Sequence, residues 1–285
     1  MKIVVGKESL LEVLQSVGSV IPQKPTVPVL SNYLLHAANG RLTISGTDMD
    51  MFIVSSIGCT VEEEGAVTVN ARRFHGVIRE LPSEDIVISA VDEKVIVSFQ
   101  KGESSILGMP ASDFPSLRET LPGVKMTISG SDFMEMVDKT SFSVATERTR
   151  IALTGVYWEV SPEMIVMAAT DGHRLALFEK TVPATEGKEA LEKKVDVIIP
   201  PKALAQVTRV ASGAAEPSHL FFDVIFGEGA VLFDFGETRI FSKLIDGPYP
   251  DFRRVLPVSS SKHVYVNTED FASSVKRVSV LSSSI

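Results

Sequence analysis

Cysteine is scarce in this sequence, basic residues are outnumbered, and each shortage bounds what the chain can do. One cysteine, Cys59, stands among 285 residues, so the chain has no internal disulfide. With nothing pairing it for nucleophilic work, Cys59 reads as a small buried hydrophobe. No apolar run approaches the roughly 20 residues that a membrane span requires. Lys7 and Glu8 interrupt the opening MKIVVGKESLLEVL before it can form the apolar segment of a signal peptide. A cytoplasmic protein without membrane association is expected. Lys and Arg number 28 against 36 Asp and Glu, a net charge of −8. That balance argues against nucleic acid only on average, because attraction over a Debye length of roughly 8 Å depends on the local face. Metal-ligand clusters, phosphate-cradling glycine loops and nucleophile elbows are also missing. No catalytic residue, cofactor or metal is therefore expected.

What the sequence does contain is length and repetition. A chain of 285 residues exceeds what one core usually organises, so two or more domains are expected. Residues 2–17, KIVVGKESLLEVLQSV, lie over 125–140, KMTISGSDFMEMVDKT, and over 262–278, KHVYVNTEDFASSVKRV. Each copy reads as a short alternating strand, a turn with residues suited to capping, and apolar residues at helical spacing. Leu10, Leu14 and Val17 answer Phe133, Val137 and Thr140, and then Phe271, Val275 and Val278.

Further landmarks follow in one order. LSNYLL at 30–35 answers LTGVYW at 153–158, and Thr47-Asp48 answers Thr170-Asp171. VTVNARRFHGVI at 67–78 answers VIIPPKALAQVT at 197–208, and FPSLRETLP at 114–122 answers YPDFRRVLP at 249–257. Between them lie alternating strands such as 85–100 and 229–244, separated by polar turns. The pattern predicts an α+β fold of homologous modules, mostly antiparallel sheet with two helices each, over 1–124 and 125–257. A third module begins at 258 and has only started by residue 285. A lone strand and helix cannot close a comparable core, so a fragment of a longer protein is expected in preference to a natural short variant.

ATDGHRLA at 169–176, LIDGPYPDFRRVLP at 244–257 and the opening PTVPVLSNYLL at 25–35 resemble signatures of the bacterial DNA sliding clamp family. The resemblance, which includes the repeat architecture, covers essentially the whole chain. It implies tandem clamp domains with antiparallel sheets outside and two helices per domain lining the inner face. It also implies a head-to-tail homodimer ring, closed by pairing of edge strands that would otherwise be sticky. The expected function is that of a non-catalytic processivity factor, held on double-stranded DNA by topology and without sequence specificity. Because the family joins the first domain of one subunit to the third of the other, this chain alone is not expected to form a stable closed dimer.

Two sets of residues follow from the family. Lys24 and Arg72 match positions that contact DNA, and Lys202 stands at the repeat-equivalent place to Arg72. Arg73 adjoins Arg72, while Arg79 and Arg209 lie later on the same predicted helices. Further family contacts fall on Glu147, Ile151 and Ala152, which replace an amide and two aromatics, and Arg148 and Arg150 supply charge there instead. The second set is a pocket for a short linear motif of the replicative polymerase, clamp loader and repair polymerases: Leu153, Thr170, Gly172, His173, Arg174, Leu175, Pro250, Arg254 and Val255. Plainer readings stand beside both. The cations could be solvated helix faces, and Asp171, His173 and Arg174 could serve a local Asp-Gly turn. Two rival functions are a hydrolase or transferase using Asp171 and His173 as an acid/base pair, and a protein-interaction scaffold that never meets DNA.

Overall fold

The computed structural model describes residues 1–82, 84–100, 102–116, 120–147, 149–181, 194–214, 216–257, 259 and 261–281. The first module runs β1 (Lys2–Gly6), α1 (Lys7–Gly18), β2 (Asn32–Ala38), β3 (Arg41–Thr47), β4 (Met51–Gly58), β5 (Thr60–Glu63), β6 (Gly65–Asn70), α2 (Ala71–Glu80), β7 (Asp85–Val91), β8 (Lys94–Phe99) and β9 (Gly102–Leu107). The second continues with β10 (Gly123–Ser129), α3 (Gly130–Thr140), β11 (Val156–Val160), β12 (Met164–Thr170), β13 (Leu175–Thr181), β14 (Val195–Ile199), α4 (Pro201–Ser212), β15 (Phe221–Gly227), β16 (Ala230–Asp234) and β17 (Thr238–Lys243). Among the described residues the order is that of the first module without a counterpart of β5.

The matched apolar positions face inward in both modules. Leu10, Leu14 and Val17 are buried on α1, as are Phe133, Val137 and Thr140 on α3. Phe133 meets Trp158, Phe222 and Phe233 at centroid distances of 5.8, 5.4 and 5.9 Å, tilted or edge-on. Burial of each such ring contributes about 1.5–3 kcal/mol, and the edge geometry adds to it. The helix starts differ between copies. Ser129 caps α3 through the N–H of Asp132 at 3.1 Å, whereas Gly6 precedes α1 with no side-chain cap. The expected capping turn is thus absent from the first copy, and its buried face anchors that helix.

Pairing joins the two modules edge to edge. One sheet has the order β5-β1-β7-β8-β9 and another β13-β12-β11-β14. Between them, eight strands form a single sheet, β10-β15-β16-β17-β4-β3-β2-β6. Its seam is the antiparallel ladder β17·β4, with Ile240 opposite Ile53 and Phe241 opposite Phe52. Ser55 and Thr238 hydroxyls meet across the seam at 2.7 Å, and Lys243 Nζ reaches Asp50 at 3.0 Å. The helices follow suit: α1 packs on α2 and α3 on α4, while Ser19 Oγ after α1 donates to Gln206 Oε1 of α4 at 2.6 Å. Helices α2-α1-α4-α3 therefore form a row.

The chain divides into two bodies, Met1–Tyr249 and Pro250–Ile285. Within the second lie a 3-10 turn at Phe252–Val255 and helix α5 (Thr268–Ser279). Asn267 caps α5 through the N–H groups of Glu269 and Asp270, and Lys276 and Arg277 complement the dipole at its far end. The strand expected at 262–266 is not formed. A strand exists through its ladder, and this body contains no second described strand to pair with it.

Candidate nucleic-acid and peptide interfaces

The cations chosen from the repeat fall on matching places. Arg72 and Arg73 are exposed on the first turn of α2, and Lys202 is exposed on the first turn of α4. Asn70 fixes the start of α2 by accepting the N–H of Arg73 at 3.1 Å. Pro201 opens α4, its fixed φ suited to a first helical turn. Lys24 is exposed in the segment between α1 and the 3-10 turn at Pro28–Ser31. The helix row thus presents Arg72, Arg73 and Lys202 at the starts of equivalent helices. Such placement suits phosphates contacted at intervals without any reading of bases. Two cations are engaged within the protein: Lys202 Nζ pairs with Asp48, and Arg79 pairs with Glu80 at 2.9 Å. Arg148 lies outside the described residues.

Arg150 belongs with a different cluster. A Cβ placed on Gly172 would lie 3.5 Å from its guanidinium, so Arg150 stands at the hairpin between β12 and β13. That hairpin is built by its own polar groups. Thr170 Oγ1 donates to the carbonyl of Arg174 at 2.6 Å and accepts the N–H of Gly172 at 3.0 Å. Asp171 Oδ1 accepts the N–H groups of His173 and Arg174 at 2.9 and 3.0 Å. Gly172 adopts φ +91°, a conformation strained for residues with a Cβ. Arg174 is held three ways: Nε donates to Asp171 at 3.0 Å, Nη2 to the carbonyl of Phe142 at 2.8 Å, and its guanidinium lies 5.9 Å from the Phe142 ring centroid.

Residues not anticipated in the sequence brace this turn. Tyr249 Oη accepts the N–H of Thr170 at 3.1 Å, and its ring stacks on Tyr157 with centroids 5.1 Å apart. Tyr157 in turn donates to Glu159 at 2.9 Å, and Lys194 pairs with the same carboxylate oxygen at 2.9 Å. Burial pushes the Tyr249 hydroxyl up to about 12, against the opposing pull of the Thr170 N–H. Leu153 is buried in the 3-10 turn at Ile151–Thr154, Leu175 is half-buried at the start of β13, and His173 is exposed. Pro250, Arg254 and Val255 belong to the second body, where Arg254 Nε donates to Asp251 at 2.8 Å.

The acid/base rival fails on geometry and charge. His173 meets Asp171 through its backbone N–H, not its imidazole. The N–H groups of Arg174 and His173, with the Arg174 guanidinium, hold the Asp171 carboxyl at about 2. A general base is effective when poised near the working pH, and this carboxylate is far below it with both oxygens engaged. Turn chemistry accounts for Asp171, and Gly172, His173 and Arg174 remain exposed at the tip of the hairpin.

Residues 1–118 match the family model described as DNA polymerase III beta subunit, N-terminal domain, and residues 127–251 match its central domain. The beta sliding clamp of Caulobacter vibrioides is 32% identical over 289 residues, covering 99% of this chain and 75% of the relative. That of Escherichia coli K12 is 32% identical over 284 residues, with the same coverage. Among solved structures, the DNA polymerase sliding clamp from Bacillus subtilis aligns with a TM-score of 0.92 at 28% identity, over 99% of this chain and 74% of that one. The sliding clamp from Bartonella birtlesii bound to griselimycin aligns with a TM-score of 0.89 at 32% identity, over 99% and 75%.

Proposed function

This chain belongs to the bacterial sliding-clamp family, the beta subunits of DNA polymerase III, and from that premise we propose how its surfaces serve a processivity factor. As a clamp it is a non-catalytic accessory subunit that lets a polymerase stay on its template. The observation that carries the reading is the β17·β4 ladder. By the repeat, β9 answers β17 and β13 answers β4, so β9 and β13 are each one half of a further such seam, whose other half falls to a third domain. Both stand at sheet edges. Complementary edges at opposite ends of a repeat favour head-to-tail closure into a ring, in which no edge is left open.

In this reading the helix row α2-α1-α4-α3 faces duplex DNA, and Lys24, Arg72, Arg73, Arg150, Lys202 and Arg148 supply charge toward phosphates. The hairpin Thr170–Leu175, with Leu153, Pro250, Arg254 and Val255, receives a linear motif. The bearers of that motif are the replicative polymerase, the clamp loader and repair polymerases. The division into 1–124, 125–257 and 258–285, a homodimeric ring and a cytoplasmic setting complete the proposal. Phosphate contacts without base readout suit a protein that must slide.

The test is DNA affinity across a salt series, using duplexes of unrelated sequence. Binding should be equal among them, fall steeply with salt, and drop at least about tenfold in R72E/K202E, since reversing two contacts acts on each phosphate interaction. Unchanged affinity in that variant would return the protein to the scaffold reading, which needs the peptide pocket but no basic face.

A further inference from the structure

The turn joining β3 to β4 contains the first module's copy of the Thr-Asp landmark, and its aspartate behaves differently from its counterpart. In both copies one carboxylate oxygen is committed to the backbone. Asp48 Oδ1 accepts the N–H groups of Asp50 and Met51 at 3.1 and 2.8 Å, as Asp171 Oδ1 accepts those of His173 and Arg174. The other oxygen diverges. Asp171 Oδ2 takes the guanidinium of Arg174 within its own turn. The first module has Met51 at the place of Arg174, so Asp48 Oδ2 lacks a local cation. It takes Lys202 Nζ, from the first turn of α4 in the next module. The repeat counterpart of Lys202 is Arg72, which has no ion pair among the described residues.

From this we infer that Asp48 is an internal phosphate mimic that occupies Lys202 until a duplex displaces it, making Lys202 a weaker DNA contact than Arg72. The inference rests on the proposed DNA-facing role of Lys202. The carboxylate is well placed for this, because two backbone N–H groups fix it and its side chain is only 18% exposed, against 52% for Lys202. When a free cation meets a phosphate, condensed counterions leave the DNA and the salt dependence steepens. When Lys202 instead exchanges a carboxylate for a phosphate, Asp48 is left bare and recruits a cation of its own, so the net release is small. Such a contact holds the duplex loosely, as sliding requires.

A double-mutant cycle on the whole chain tests this, with a labelled random-sequence duplex titrated by anisotropy across a salt series. D48N keeps the Oδ1 acceptor of the turn and removes only the charge. D50N, on the neighbour that pairs with Lys243, controls for the change in net charge. D48N should bind about two- to fivefold tighter at low salt, with a log–log salt slope steeper by about 0.9. K202A should erase that gain in the D48N background, leave the D50N gain in place, and change the otherwise unaltered protein little. If K202A weakens binding equally with Asp48 present or replaced, Lys202 touches DNA and the role given to Asp48 is overturned. If K202A has no effect in either background, Lys202 is not a DNA contact and the inference falls with the reading beneath it.

Discussion

Met49 and Gly172 occupy the same place in the two copies of the Thr-Asp turn, and both have positive φ, +78° and +91°. Glycine adopts that conformation without steric cost, whereas a residue with a Cβ pays on the order of 1 kcal/mol. The first module tolerates this because Asp48 ties the turn from both sides. In the second module Asp171 has the corresponding duty, and its chemistry can be read by pH. Its folded value, about 2, lies below the unfolded carboxylate value of about 3.9. The ionised form therefore favours the folded turn: that preference is complete above the unfolded value and is lost as pH falls through about 2. Carbon-13 NMR of the Asp171 carboxyl should show a midpoint well below those of exposed aspartates. A midpoint near the ordinary 3.9 would mean that the backbone bonds to it are not formed.

Elements explain why the hairpin β12–β13 suits the recognition role proposed for it. Its register is fixed from Thr170 opposite Leu175 to Met164 opposite Thr181, and Tyr249 holds its end from outside. The turn itself was legible in the sequence, because Thr170, Asp171 and Gly172 are neighbours and their chemistry is local. The braces were not: Phe142, Tyr157, Tyr249 and the placement of Arg150 against Gly172 join residues far apart in the chain. The inward faces of α1 and α3 were legible for the same reason as the turn, since helical spacing alone identifies Leu10 and Phe133. Spacing also marked Phe271, Val275 and Val278 on α5, yet these remain exposed. Periodicity specifies a face, and only a neighbour can bury it. Leu175 offers the check on that role. On the proposed pocket, a clamp-binding peptide should bind L175A about tenfold more weakly than the unaltered chain, as loss of an apolar anchor contact usually costs on the order of 1–2 kcal/mol. Equal affinity would separate the hairpin from the peptide site.

For the whole molecule, the net charge of −8 coexists with cations at the starts of α2 and α4, so the charge sum and the proposed DNA face carry different information. The sequence announced two copies of a module but did not reveal what binds them. The seam is made by a ladder of five residue pairs, hydroxyls at Ser55 and Thr238, and ion pairs from Asp48, Asp50 and Arg41 to Lys202, Lys243 and Glu237. None of these has a local signature, because each partner lies in the other module. A sheet continuous through that seam cannot release one module without exposing strand edges and apolar side chains of the other. Met1–Tyr249 should therefore unfold as one unit. Calorimetry should show a single dominant transition whose calorimetric and van't Hoff enthalpies agree, the signature of a two-state body. Two resolved transitions of comparable enthalpy would mean that the modules fold independently, and that the β17·β4 ladder is a contact between finished domains instead of part of a shared core.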